Sequence, residues 1–371
     1  MRETDLPALT STVLAGAFAL AVLFGALAQR TRFCTMGAIA DVVGFGDWTR
    51  VRLWVLAIAT ATAGFNAMVG LGWVEARNSI YGGAQLLWLS SIVGGLSFGF
   101  GMVLASGCGS KNLVRLGGGN LKSLVVIVLL GVSAFATLKG ITAVLRVRTV
   151  DRFVVELPGG QDLPSLLAGT VGVAPAQVAW ILGLAIAAAL IAWVLSKPEG
   201  RAADLWVGGV GIGAIIVAVW WISGRLGHLA EHPVLLEESF LATNSRRMES
   251  LSFAAPVGFA LDWMLFFSDA SKVLTIGIVS VFGVIVGSAV VSLGTRCFRW
   301  EGFAGTEDVA NHLAGAVLMG FGGVTALGCT IGQGLSGVST LSLGSLIALG
   351  SIVAGAIAAL RYQSWRLDRA G

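Results

Sequence analysis

Apolar residues fall in blocks of about 20 along the whole chain, broken by short stretches where Arg, Lys, Gly and Pro collect. The blocks lie near 11–28, 51–74, 84–106, 121–141, 176–196, 203–223, 273–294, 308–327 and 341–360. Helices of that length span the hydrocarbon core of a bilayer, so about nine transmembrane crossings are predicted. Between them lie four semi-apolar pieces, 32–45, 107–116, 252–267 and 328–339, too apolar for aqueous loops and too short to cross. They read as re-entrant half-helices, because non-helical backbone at membrane depth survives only where protein or a cavity satisfies its polar groups. The predicted fold is an all-α polytopic membrane protein, one domain over residues 1–371.

Lys and Arg set the orientation, since short cytoplasmic loops are enriched in them. Arg361, Arg366 and Arg369 place the C-terminus inside, and nine crossings then leave the N-terminus outside. The short inner loops collect Arg30, Arg32, Arg50, Arg52, Lys111, Arg115, Lys122, Lys197, Arg201, Arg296 and Arg299, against Arg2 and Arg77 in short outer segments. The run ending Ala26–Leu27–Ala28 has the small residues of a signal-peptidase site, but Glu3 and Asp5 outweigh Arg2, so an uncleaved first helix is expected.

Composition agrees. The chain is 56% hydrophobic and only 12% charged, with a mean hydropathy of +0.86; a soluble domain carries about a quarter charged residues. A soluble fold is excluded. The formal charge of +4 sits at the ends of apolar blocks, where it marks orientation and does not point to a nucleic-acid partner. Glycine, at 52 of 371 residues, is about twice its usual share of ~7%. Small residues in lipid let helices approach closely, so Gly94 to Gly101 and Gly315 to Gly323 are read equally as packing surfaces and as pore lining.

An internal repeat organises the chain. Gly94, Gly99, Phe100, Gly101, Gly107 and Cys108 recur as Gly315, Gly320, Phe321, Gly322, Gly328 and Cys329, all at one offset, 329 − 108 = 221. By the counted crossings the first copy precedes an inner loop and the second an outer one, so the copies are inverted. Such repeats place a substrate site near the midplane, here at a central constriction. The expected halves are about 11–142 and 273–361, with linker and middle helices over 143–272.

Each copy ends a glycine-rich span with Gly-Cys and then turns, as Gly107-Cys108-Gly109-Ser110 and as Gly328-Cys329-Thr330-Ile331-Gly332. Glycine before cysteine is expected to break the helix, and a half-helix starting at the thiol would aim free amides and a positive dipole end inward. The natural guest is an anion. A third thiol, in Arg32-Phe33-Cys34, begins the first half-helix. A thiol is a weak donor, suited to passing a sulphur anion along rather than trapping it, provided it stays protonated.

These motifs resemble those of the YeeE/YedE family of sulphur-compound transporters, whose characterised branch carries thiosulphate into bacterial cells. The resemblance rests on Arg32-Phe33-Cys34 with Gly37 and Asp41, on Gly107-Cys108 running to Arg115-Leu116-Gly117 and Gly119-Asn120, and on Gly320-Phe321-Gly322 running through Gly328-Cys329 to Gly332, Gly334, Leu335, Ser336 and Gly337. It implies uptake of a small sulphur anion across the bacterial inner membrane, pore cysteines at Cys34, Cys108 and Cys329, and a cytoplasmic sulphurtransferase or small persulphide carrier as partner. The expected path residues are these three with Arg32, Gly107, Gly109, Gly328, Thr330 and Gly332. Lys111 departs from the family pattern, which has small and hydroxyl residues there.

Other classes compete. A membrane-embedded enzyme could take sulphane sulphur onto Cys34 as a persulphide, but no Cys/His pair of the activating kind is visible. A soft-metal channel is disfavoured because the four cysteines are isolated. No nucleotide-binding glycine loop occurs, and no cofactor or metal is expected. Cys297 reads as a core hydrophobe. His228 and His232, four apart before Pro233, read as a solvated external segment. His312 near Asp308 reads first as a capping or surface group and second as a proton relay, Asp262 falls under the same functional suspicion on a segment that also reads as interfacial, and Arg32 and Arg115 read first as orientation markers.

Overall fold

The computed structural model describes residues 6–233 and 236–370; Arg2, expected on the outer side, lies outside them. Every apolar block becomes helix. The order is α1 (Leu6–Arg30), α2 (Thr35–Phe45), α3 (Thr49–Gly70), α4 (Trp88–Leu104), α5 (Gly109–Gly117), α6 (Leu121–Lys139), α7 (Ile141–Arg148), α8 (Leu163–Val171), α9 (Pro175–Leu195), α10 (Ala203–Trp221), α11 (Ala255–Leu265), α12 (Ile276–Gly294), α13 (Thr306–Thr325) and α14 (Leu343–Ala370). Among the described residues, eight helical stretches are long and apolar enough to cross a membrane, the broken pairs α1–α2 and α4–α5 each counted as one. The remaining predicted crossing, 308–327, falls on α13, which has the length but opens with Glu307, Asp308, Asn311 and His312.

The four short apolar pieces are α2, α5, α11 and a π-helical turn at Gly332–Gly337. With a rise of about 1.5 Å per residue, even the 11-residue α2 and α11 reach roughly half of a ~30 Å hydrocarbon core.

Packing follows the glycines. α4 lies between α13 and α14, α13 between α4 and α6, α1 against α12, and α3 against α9 and α10. A Cβ on Gly94 would stand 2.7 Å from the Gly322 carbonyl oxygen, and one on Gly322 would stand 2.5 Å from that of Gly94. Gly101 and Gly315 repeat the arrangement at 2.7 and 2.5 Å. The α4–α13 seam is thus backbone against backbone, and these glycines are packing surfaces. Gly99 meets the backbone of α14 at Ile352, and Gly320 meets α6 at Leu130.

Large apolar side chains point away from the protein where lipid is expected: Val128 and Val132 on α6, Ile181 on α9 and Val286 on α12 are exposed. Arg52, expected as an orientation marker, is buried and donates to the carbonyls of Trp193 and Val194 at 2.7 and 3.0 Å, closing the C-terminal end of α9. The segment between α7 and α8 lacks a recognisable motif but has a clear place. Its Gln161 carbonyl accepts from Leu343 at 3.0 Å and the Leu163 amide donates to Leu341 at 3.0 Å, so it covers the start of α14.

Gly101→Val and Gly315→Val are each expected to lower the thermal stability of the detergent-purified protein, by about 1–3 kcal/mol for overpacking. Gly350→Ala, with nothing near its Cβ position, should leave the melting curve unchanged.

Candidate functional site

α1, α4 and α13 stop in the same way, each four residues before a cysteine. Arg32, Ser106 and Leu327 take left-handed backbone, with φ of 53°, 54° and 58°. The next amide then reaches back five residues: Phe33 to Ala28 at 3.1 Å, Gly107 to Met102 at 2.8 Å and Gly328 to Gly323 at 2.7 Å. This is the Schellman closure of a helix end. The left-handed residue is therefore the one before the glycine, which corrects the expectation that Gly107 and Gly328 supply the break. Glycine is needed there for room. A Cβ on Gly107 would come 3.1 Å from Lys111 Cγ, and one on Gly328 would come 3.1 Å from the Gln333 amide nitrogen.

Cys34 and Cys108 are the N-caps of α2 and α5, so the first-turn amides of both helices lack intrahelical partners. After Cys329 the chain instead enters the π-helical turn, where the Ser336 amide reaches Ile331 at 2.9 Å; Gly332, Gly334 and Gly337 give that segment little preference for a regular α-helix.

Left-handed backbone costs a non-glycine residue about 1–2 kcal/mol, and side chains hold the turns in place. Arg115 Nη1 donates to the Ser106 carbonyl at 2.6 Å. Asn112 donates to the carbonyls of Gly107 and Cys108 at 2.8 and 3.2 Å, and accepts from Ser123 Oγ at 2.9 Å. In the other copy the Gln333 amide donates to the Ala326 carbonyl. Asn112 and Gln333 stand at the repeat offset, 333 − 112 = 221, which would have identified both from sequence.

The three thiols are buried, at 7%, 1% and 0% exposure for Cys34, Cys108 and Cys329. Gly37 donates its amide to Cys34 Sγ at 3.3 Å. Cys329 Sγ accepts from Phe253 at 3.3 Å and from Gly332 at 3.5 Å, and Cys108 Sγ lies 3.2 Å from Ser110 Oγ. Cys108 is within electrostatic range of both other thiols. Phe253 joins two of the segments, since a Cβ on Gly109 would sit 3.4 Å from its carbonyl oxygen. The hydroxyls of Thr35 and Thr330, each next to a cysteine, are buried without a hydrogen-bond partner among the described residues. A Cβ on Gly332 would come 2.5 Å from Ser252 Oγ and 3.2 Å from the Tyr81 hydroxyl.

Two cavities open at opposite ends of α6 and α13. The smaller, about 270 Å³, is lined by Tyr81, Leu138, Arg146, Asn244, Glu249, Ser252 and Gly328. The larger, about 1260 Å³, has walls of Arg30, Arg32, Arg50, Lys111, Arg115, Lys122 and Arg299, reaches Cys34, and contains Asp308 and His312. His312 is buried, its Nδ1 2.7 Å from the Asp308 carbonyl oxygen and 3.0 Å from its carboxylate. Packing against Phe303 encloses it, contrary to the surface role expected. Cys297, expected in the core, is exposed and lines the same cavity. Asp262 is buried and paired with Lys272 at 2.6 Å, while His228 faces Glu238 at 2.8 Å.

Membrane-length helices with buried thiols between cavities at their two ends are the architecture of a small-solute transporter. Residues 30–358 match the family model described as sulphur transport, and the chain belongs to that family, the YeeE/YedE group. It is 27% identical over 325 residues to the thiosulfate transporter TsuA of Escherichia coli (strain K12), covering 88% of this chain and 87% of that protein. It is 28% identical over 339 residues to the thiosulfate transporter TsuA of Spirochaeta thermophila, covering 88% and 92%.

Asn112→Ala strands the Gly107 carbonyl, that of Cys108 keeping the Asn112 backbone amide, and Gln333→Ala strands that of Ala326. Each is expected to cost about 1–3 kcal/mol, read as a lower melting temperature in detergent.

Proposed function

We propose that this protein takes up thiosulphate through the bacterial inner membrane, with its N-terminus outside and its C-terminus in the cytoplasm. The anion enters the smaller cavity, passes Cys329, Cys108 and Cys34 in turn, and leaves through the basic cavity. The carrying observation is the set of three buried thiols at helix starts, reached from one cavity at Gly328 and from the other at Cys34.

The chemistry is hydrogen-bond relay, with no covalent step and hence no catalysis. Cys34 and Cys329 accept backbone amides at sulphur, which leaves each S–H free to donate; a protonated thiol is a weak donor, and weak serial sites let an ion move on. Thr35 and Thr330 add hydroxyl donors that otherwise lack partners. Gly109 leaves the first-turn amides of α5 uncovered, the Gly332 amide points at Cys329 Sγ, and Arg32 adds attraction at the inner mouth. A cytoplasmic sulphurtransferase or persulphide carrier takes over the product there.

In this reading α1–α6 and α10–α14 are inverted halves meeting at the constriction, with α2, α5, α11 and the 332–337 turn as their re-entrant pieces. What supports it is reciprocity. The α1–α12 contact answers α10–α3, α4–α14 answers α13–α6, and α2–α14 answers α11–α6. The second half then starts at α10, earlier than residue 273, and α7–α9 are an insertion.

Reconstituted vesicles should accumulate labelled thiosulphate in preference to sulphate, sulphite and selenite. Cys108→Ala and Cys329→Ala should each reduce uptake about tenfold or more, the worth of a hydrogen bond to a charged partner. Undiminished uptake in both variants would refute the relay.

A further inference from the structure

Lys111 differs from the other bases of the large cavity: Arg30, Arg32 and Arg299 also lack a carboxylate among the described residues but are exposed. Arg50 pairs with Asp41 at 3.1 Å, Lys122 pairs with Asp308 and Glu301 at 2.9 and 3.6 Å, and Arg115 is held by the Ser106 carbonyl. Among the described residues, Lys111 has no carboxylate within ion-pair distance. It is half-buried, its stem lies against Gly107, and its ammonium group is within electrostatic range of Cys34, Cys108, Arg115 and Arg50. An unpaired cation crowded by two guanidinium groups is costly to keep. An anion seated beside the two thiols would supply the missing partner.

The repeat sharpens the point. Lys111 corresponds to Gly332 at the offset 332 − 111 = 221, and the space beside Gly332 is taken by the neutral hydroxyls of Ser252 and Tyr81. At this pair of repeat-equivalent positions the two faces of the cysteine centre therefore differ by one charge, carried on the side of the basic cavity.

We infer that Lys111 is the charge-selecting residue of the path, holding doubly charged sulphur oxyanions at the inner face of the cysteine centre in preference to singly charged ones. The inference rests on the thiosulphate reading above. Coulombic attraction scales with the charge of the guest, so a dianion gains twice what a monoanion gains at the same distance. Hydrogen bonds from thiols and hydroxyls make a much weaker distinction of that kind.

The test uses the full-length protein in vesicles, with thiosulphate as substrate and methanethiosulphonate, its singly charged methyl analogue, as competitor. Lys111→Met should raise the KM for thiosulphate roughly tenfold, change the maximal rate less, and bring the two anions several-fold closer in apparent affinity. Lys111→Arg should restore most of the preference, which a merely structural role for the stem would not predict. Unchanged KM and unchanged preference in Lys111→Met, with the wild type transporting thiosulphate, would overturn this role alone. Should Lys111→Met fail to fold, Lys111→Gln and Lys111→Arg carry the comparison, and loss of preference in both would overturn it equally. Wild-type vesicles that take up no thiosulphate would overturn the underlying reading and this inference with it.

Discussion

A helix that stops inside an apolar interior must find partners for the backbone groups it releases, each of which costs several kcal/mol if left bare in lipid. α1, α4 and α13 all stop this way, and the rest of the site follows from how the debt is met. The carbonyl ends are met by strong donors: the turn amides, Arg115, Asn112 and Gln333. The amide ends are met largely by sulphur, through Gly37, Gly332 and Phe253. Carbonyls are thus held firmly and donors loosely. Such an arrangement leaves donor groups at the centre weakly engaged, which is what the proposed anion path requires.

Two populations of glycine serve different ends. Gly94, Gly101, Gly315 and Gly322 let α4 and α13 touch along their backbones, while Gly107, Gly328 and Gly332 leave room where side chains fold back over the turns. Electrostatics then adds what the repeat does not. The cavity at the Cys34 end carries most of the bases, whereas the one at the Gly328 end combines Arg146 with Glu249 and several hydroxyls. The repeat accounts for the matched backbone turns at the centre, and the side chains around them make its two faces unlike.

Much of this was readable before any coordinates. Apolar length alone located eight of the nine expected crossings, because the thickness of lipid sets a minimum run, and the offset between the Gly-Cys motifs paired α4 with α13. What escaped the sequence depended on neighbours remote in the chain. The left-handed positions fell on Ser106 and Leu327 because the helix-closing bond counts back from the following residue, and no composition rule places leucine there. His312 looked peripheral from its position but is walled in by Phe303 and tied to Asp308. Cys297 looked like core from its chemistry, yet it follows the left-handed Arg296 beyond the end of α12 and faces the basic cavity. Arg52 reads from sequence only as a base at the end of an apolar block, and its bonds to α9 required knowing that residues more than a hundred apart meet.

The seam between α4 and α13 bears on how the molecule can move. Carbonyl oxygens lie where side chains would otherwise be, at both Gly94–Gly322 and Gly101–Gly315, so sliding one helix past the other would drive backbone into backbone. Close-packed contacts of this sort resist continuous deformation. The helical frame is therefore better suited to standing still than to rocking. In the proposed relay, opening and closing would then fall to the short pieces at the centre, through changes of rotamer at a thiol or hydroxyl.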